Sequence, residues 1–305
     1  ISIIGAGSVG ATAAFSIAQR HLVYELAIID VNNDKAEGEA MDINHGLITI
    51  GSMNIHSGSY EDVKDSDIIV VAAGLGRKPG ETRLDLAAKN IGIAKDIAQN
   101  IMKYYNGGVI LVVSNPVDIM TYVILKETGL PAGKVIGCGT VLGSARFRYM
   151  LSTALGADIR NMHGFMAGEQ GESQFAVWSS VHVSGMKLDS YCDKMGVRID
   201  KDGLVGDIIG LGAQVIKRKG VTNFAIAAIV AELCGTIMGD RGSIFNVTSL
   251  MDGCYGINDV CISVPCILGK EGVVRHLPYD FSEEESEKLL RSAKGLREFM
   301  NDLKI

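Results

Sequence analysis

Gly5-Ala6-Gly7-Ser8-Val9-Gly10 lies between an apolar run at residues 1–4 and a helical pattern near 8–20, and the next apolar run ends in Asp30. Asp30 stands 20 positions past Gly10, which is the spacing of a dinucleotide-binding fingerprint. In G-x-G-x-x-G the first glycine makes a tight turn, the second lets backbone approach a pyrophosphate, and the third allows close helix–strand packing. The N–H groups opening the helix then face the phosphates. A carboxylate at the end of the second strand accepts hydrogen bonds from ribose hydroxyls and disfavours a 2′-phosphate. The cofactor this predicts is NAD, bound by Gly5, Gly7, Gly10 and Asp30. The six-residue match alone is weak; the strand before it, the helix after it and the distal acid make it specific.

A second cluster with chemical potential is cationic. Gly74-Leu75-Gly76-Arg77-Lys78-Pro79-Gly80-Glu81-Thr82-Arg83 follows an apolar run. Glycines and a proline there predict a loop, and Thr82 with Asp85 reads as a helix N-cap pair that puts Arg83 on the first turn. Arginines so placed either close over an anion with forked hydrogen bonds or form a solvated basic loop. Three further segments are Val113-Ser114-Asn115-Pro116-Val117-Asp118, Gly143-Ser144-Ala145-Arg146-Phe147-Arg148 and Gly168-Glu169-Gln170-Gly171-Glu172-Ser173.

With these segments in this order, and with Lys219-Gly220-Val221-Thr222 and a closing amphipathic helix, the chain resembles the L-lactate/malate dehydrogenase family from end to end. Its bacterial L-lactate branch is the most similar. The resemblance implies an NAD-dependent oxidoreductase that interconverts small 2-oxo and L-2-hydroxy acids. It places Arg146 on the substrate carboxylate as a bidentate fork and Arg83 on the substrate carbonyl. Asn115 then touches nicotinamide and substrate, and Thr222 lines the pocket. Val9, Lys35, Tyr60, Gly74, Leu75, Val113 and Cys138 fall at cofactor contacts. Arg77 occupies the position that selects the substrate side chain, where malate enzymes carry Arg and lactate enzymes Gln; the rest of the chain resembles the lactate type. Arg148 and His163 match positions that bind fructose 1,6-bisphosphate between subunits or simply hold a subunit interface. Arg146 and Arg148 are two residues apart, about 200° around a helix, so they face different ways. A homodimer or homotetramer is implied by the resemblance alone.

The sequence departs from that family at the reacting centre. The catalytic histidine position holds Gln170, and the position of the aspartate that orients it holds Gly143. A histidine titrates near neutral pH and can deliver a proton to a carbonyl oxygen. A carboxamide can hydrogen-bond to that oxygen but is no general acid. General acid help is worth about 10²–10⁴-fold, so impaired turnover is expected. The alternative is a catalytically deficient relative that binds NAD(H) and a small anion. The double loss is coherent, because an aspartate left without its histidine would be a buried charge without a partner.

Positioning these residues takes alternating strands and helices. Apolar runs at 1–4, 26–30, 67–73, 109–114 and 134–137 alternate with helical stretches near 8–20, 34–46, 84–104 and 117–128, the pattern of a parallel α/β sheet. Past 140 the pattern predicts a helix at 142–155, strand-like segments at 160–168 and 174–184, helices at 204–219 and 222–238, strands at 244–251 and 258–268, and a helix at 282–304. The fold class expected is a Rossmann doubly wound parallel sheet (1–140) followed by a mixed α+β substrate domain (141–305). The chain has 305 residues, net charge −6 and 47% hydrophobic residues, a globular composition with no basic surface for nucleic acid. No apolar run is long enough to span a membrane. Six cysteines without a C-x-x-C pair, and no metal-ligand spacing, read as reduced thiols in a cytoplasmic protein with no metal site.

Overall fold

The computed structural model describes residues 1–76 and 83–305, with the backbone alone at Arg83. In its first half the strands are β1 (Ser2–Ile4), β2 (Glu25–Ile29), β3 (Asn54–Ser57), β4 (Ile68–Val71), β5 (Val109–Val112) and β6 (Val135–Gly137). Interleaved are α1 (Ser8–Gln19), α2 (Asn33–His45), a single turn α3 (Leu47–Ile50), α4 (Arg83–Tyr104) and α5 (Val117–Thr128). The six strands are parallel and ordered β6-β5-β4-β1-β2-β3. Helices cover both faces of such a sheet, so its strands carry apolar side chains in both directions. Accordingly Ile68, Ile69, Val70 and Val71 are all at most 1% exposed.

The second half opens with α6 (Val141–Leu155). Short strands β7 (Met162–His163), β8 (Met166–Ala167), β9 (Phe175–Ala176), β10 (His182–Val183) and β11 (Met186–Lys187) come next. Then follow α7 (Leu188–Met195), α8 (Lys201–Lys219), α9 (Phe224–Met238), β12 (Ser243–Asp252), β13 (Asn258–Gly269), β14 (Gly272–His276) and α10 (Glu283–Asp302). The two long strand-like segments expected at 160–168 and 174–184 are instead two-residue strands joined by turns. Gly164 and Gly168 take φ +149° and +95°, left-handed backbone that breaks an extended run. The edge strand β3, helix α7 and β14 were not foreseen; each is short or polar and offers little periodicity.

The β12–β13–β14 meander joins the parallel sheet through an antiparallel pairing of Thr248 with Gly137, extending it to nine strands among the described residues. The fold class is therefore the expected one, a Rossmann-type sheet with a mixed α/β second half, although one sheet runs through both halves. The main hydrophobic core follows it, from Ile3 and Val70 to Val264. A smaller core under α6, α7 and α8 contains Phe147, Met166, Leu188 and Ile208. α10 starts with a reciprocal cap in which Ser282 and Glu285 satisfy each other's backbone N–H. No described helix is long and apolar enough to cross a membrane.

Candidate active site

β1 lies between β2 and β4, so the chain reverses its winding direction there, and a crevice opens past the strands' C-terminal ends. The glycine loop fills that point. Gly5 has φ +108°, and a Cβ there would stand 2.6 Å from the Ala73 nitrogen. A Cβ on Gly10 would stand 1.8 Å from the Gly5 carbonyl oxygen. Both are packed glycines. Gly7 is different: a Cβ there meets nothing within 4 Å, and it caps α1 without any side-chain hydrogen bond to the helix N–H groups. A pyrophosphate fits this cradle, with open space at the middle glycine and unclaimed helix donors behind it.

Asp30 follows β2. Its carboxylate accepts from the Ala6 N–H at 2.6 Å and the Asn32 N–H at 2.9 Å, which fixes it beside the glycine loop. The Tyr60 phenol is pushed up to about 12, first by burial and then by the charges of Asp96 and Asp30, so it stays a donor. Val9 is half-buried, Lys35 is exposed on α2, and Gly74 and Leu75 are exposed past β4. Val113 is buried just past β5. Cys138 lies buried in the main core, its thiol pushed up to about 12 chiefly by burial and then by Asp118.

One organising residue was missed in the sequence. Asn90 on α4 is 2% exposed. Its Oδ1 accepts from the Leu75 N–H at 2.9 Å, and its Nδ2 donates to the carbonyls of Leu75 (3.2 Å) and Asn115 (2.8 Å). Thus one carboxamide ties the loop after β4 to the loop after β5, where Asn115 lies exposed before a cis peptide bond to Pro116. A lone Asn inside a helical pattern carries no signal of this.

Position 170 is held from three sides. The Gln170 N–H donates to Asp118 Oδ2 at 2.7 Å, the Glu169 N–H to Ser292 Oγ at 2.9 Å, and Ser173 Oγ to Glu169 Oε2 at 2.6 Å. Asp118 also accepts from Thr248 Oγ1. The Gln170 side chain is half-buried, and its Oε1 finds no partner among the described residues. Arg146 on α6 is half-buried too. A Cβ on Gly212 of α8 would lie 3.7 Å from both terminal nitrogens of its guanidinium, and burial lowers its pKa. It has no hydrogen-bond or ion-pair partner among the described residues. An unpaired cation in a partly desolvated place is prepared for an anionic ligand. Thr222 lies half-buried in the loop between α8 and α9. Arg148 leaves the other side of α6, donating to the Gly164 carbonyl at 2.9 Å, and His163 is exposed on β7. Arg77 and Thr82 fall outside the described residues, as does the side chain of Arg83.

The chain's two halves match two family models. Residues 1–137 match the lactate/malate dehydrogenase NAD binding domain, and residues 140–304 match the lactate/malate dehydrogenase alpha/beta C-terminal domain. The chain belongs to the lactate/malate dehydrogenase family. Among similar proteins, an L-lactate dehydrogenase of Thermoanaerobacter sp. is 42% identical over 308 residues, covering 100% of this chain and 99% of the relative. L-lactate dehydrogenase 1 of Clostridium acetobutylicum is 43% identical over 306 residues, 99% of this chain and 98% of the relative. A solved L-lactate dehydrogenase of Clostridium thermocellum superposes with TM-score 0.89 at 49% identity, covering 100% of this chain and 99% of that one. The chain is thus an NAD-dependent oxidoreductase of the lactate/malate dehydrogenase type, acting on CH–OH groups.

No histidine of this dehydrogenase-type chain is hydrogen-bonded to Gln170 among the described residues. His56 pairs with Asp62, His182 with the Ser180 carbonyl and His276 with Ser249. A cavity of about 490 Å³ lined by Lys64, Asn106 and Lys134 opens at the opposite rim, by the N-terminal ends of β4, β5 and β6. It takes no part in the dinucleotide crevice.

Proposed function

We propose that this chain is an L-2-hydroxy acid dehydrogenase of lactate/malate type whose turnover is impaired by Gln170 and Gly143. What carries this reading is an open glycine cradle of dinucleotide type together with an Arg146 guanidinium that has no partner among the described residues, and a glutamine on the braced loop where a proton donor is needed. Gly5, Gly7, Gly10 and Asp30 hold the cofactor, assisted by Val9, Lys35, Tyr60, Gly74, Leu75, Val113, Asn115 and Cys138. Bound nicotinamide supplies or takes up the hydride.

The rest is work for side chains. Arg146 grips the substrate carboxylate as a fork, Thr222 lines the pocket, and Asn115 orients substrate against the cofactor. Arg83 polarises the carbonyl, and Arg77 meets a second carboxylate, favouring oxaloacetate over pyruvate. Gln170 hydrogen-bonds to the reacting oxygen without transferring a proton, so solvent delivers it slowly. Arg148 and His163 face away from this pocket and serve an anion or subunit interface in a homodimer or homotetramer. The division at residues 1–140 and 141–305 places the cofactor in the first part and most substrate contacts in the second. Buried free cysteines fit a reducing cytoplasm.

The test follows NADH oxidation with oxaloacetate and with pyruvate, comparing the native chain with Gln170→His. The native chain should be about 10²–10⁴-fold slower. Equal rates would remove the claim of impairment, and no oxidation by either protein with either acid would remove the dehydrogenase reading. In the Gln170→His background, Arg77→Gln should shift preference toward pyruvate; an unchanged ratio would refute Arg77 as selector.

A further inference from the structure

Gln174 occupies a place that the sequence did not advertise. It is 7% exposed. Its Nε2 donates to the Gly171 carbonyl at 2.8 Å, while its Oε1 is buried without a partner among the described residues. That oxygen is pressed onto α6: a Cβ built on Gly143 would stand 2.4 Å from it, with Met166 next at 3.5 Å. This is about the separation between a carboxylate oxygen and its own Cβ. The Gln174 oxygen therefore lies at the distance from position 143 that a carboxylate oxygen there would have, but it comes from the 168–174 loop instead of from the helix.

We propose that Gln174 is the positioning residue for the side chain at 170, a neutral acceptor that has taken over the slot of the family aspartate. The proposal rests on the reading that 170 is the proton-delivery position. Gly143 then has a structural reason. Any side chain there displaces the Gln174 oxygen, so glycine at 143 and glutamine at 174 belong together. The chemical consequence is specific. An amide oxygen can accept an imidazole N–H and hold the ring in one tautomer, yet it adds no negative charge to stabilise an imidazolium. A carboxylate in the same slot does both.

The test places an imidazole at the site in the full-length chain. Gln170→His is prepared alone, with Gln174→Ala and with Gln174→Glu. The added histidine signal is titrated by NMR, and its neutral tautomer is read from the ring nitrogens. With Gln174→Glu the introduced ring should titrate at least about one pH unit higher than with Gln174. With Gln174→Ala the neutral ring should lose its single tautomer, and kcat for NADH oxidation should fall about tenfold with KM little changed. An unchanged midpoint with Gln174→Glu and an unchanged tautomer with Gln174→Ala would overturn the proposal. A second comparison does not depend on activity. Gly143→Asp should lower Tm more in the presence of Gln174 than in a Gln174→Ser background, and an equal loss in both would also overturn it. Should the NMR differences appear while no variant oxidises NADH, the acceptor role stands and the dehydrogenase reading falls.

Discussion

Asp118 accepts the backbone N–H of Gln170 at 2.7 Å across 52 positions of sequence. The contact fixes the 168–174 loop to α5 at the residue proposed to face the reacting carbonyl. Asp118 is 2% exposed, and its other oxygen accepts from Thr248, so its charge is spread over oriented donors. A hydrogen bond to a charged group is worth about 1.5–3 kcal/mol. Asp118→Ala should therefore lower the unfolding free energy by about 2–3 kcal/mol, seen as a lower urea midpoint at constant slope. A loss below about 0.5 kcal/mol would mean that the loop is held by other contacts.

The glycines of the cofactor loop should separate cleanly by variant. Gly10→Ala puts a Cβ 1.8 Å from the Gly5 carbonyl, a clash between backbones that can be relieved only by moving α1 off β1. Tm should fall sharply or the protein should fail to fold. Gly7→Ala meets nothing, so Tm should hold while NADH affinity drops about tenfold or more, a loss of at least ~1.4 kcal/mol. Fluorescence titration of NADH beside thermal melting reads both. Equal effects of the two variants would contradict the open cradle at Gly7.

Arg146 should cost the free protein nothing. Its guanidinium has no partner among the described residues and is partly desolvated, with its pKa lowered for that reason. Arg146→Lys should leave Tm unchanged or slightly raised. Measured in the Gln170→His background, it should raise KM for the 2-oxo acid about tenfold or more, since a lysine cannot reproduce the fork. A fall in Tm with unchanged KM would make Arg146 a structural residue.

Alkaline stability follows from the buried thiols. Cys138, Cys234 and Cys266 are each pushed from an ordinary 9.0 up to about 12, burial being the first cause in each. Between those values the unfolded chain gives up protons that the folded chain keeps. Their contribution is complete below about pH 9 and is lost progressively as pH rises toward 12. Tm should decline above pH 9, and the decline should be shallower in Cys234→Ala than in the native chain. These thiols should also resist disulfide reagents until the protein unfolds. A Cys234→Ala profile parallel to the native one would remove this explanation.

The sequence by itself determined the cofactor, NAD, and the fold class. A turn glycine, an open glycine, a packing glycine and a strand-end acid are local requirements, and local requirements leave fixed spacings. Gly5, Gly7, Gly10 and Asp30 could be read for that reason, as could the buried parallel strands from their unbroken apolar runs. It also pointed, through the resemblance alone, to Gln170 and Gly143 as the proposed departures.

Tertiary structure alone decided what surrounds those departures. Asn90 binds two loops from the middle of a helix, and Asp118 holds position 170 from another element. The β12–β13–β14 meander joins the parallel sheet through a single pairing at Gly137. Gln174 fills the space over Gly143. Each depends on elements distant in sequence meeting in space, and packing of that kind imposes no period or spacing on the chain.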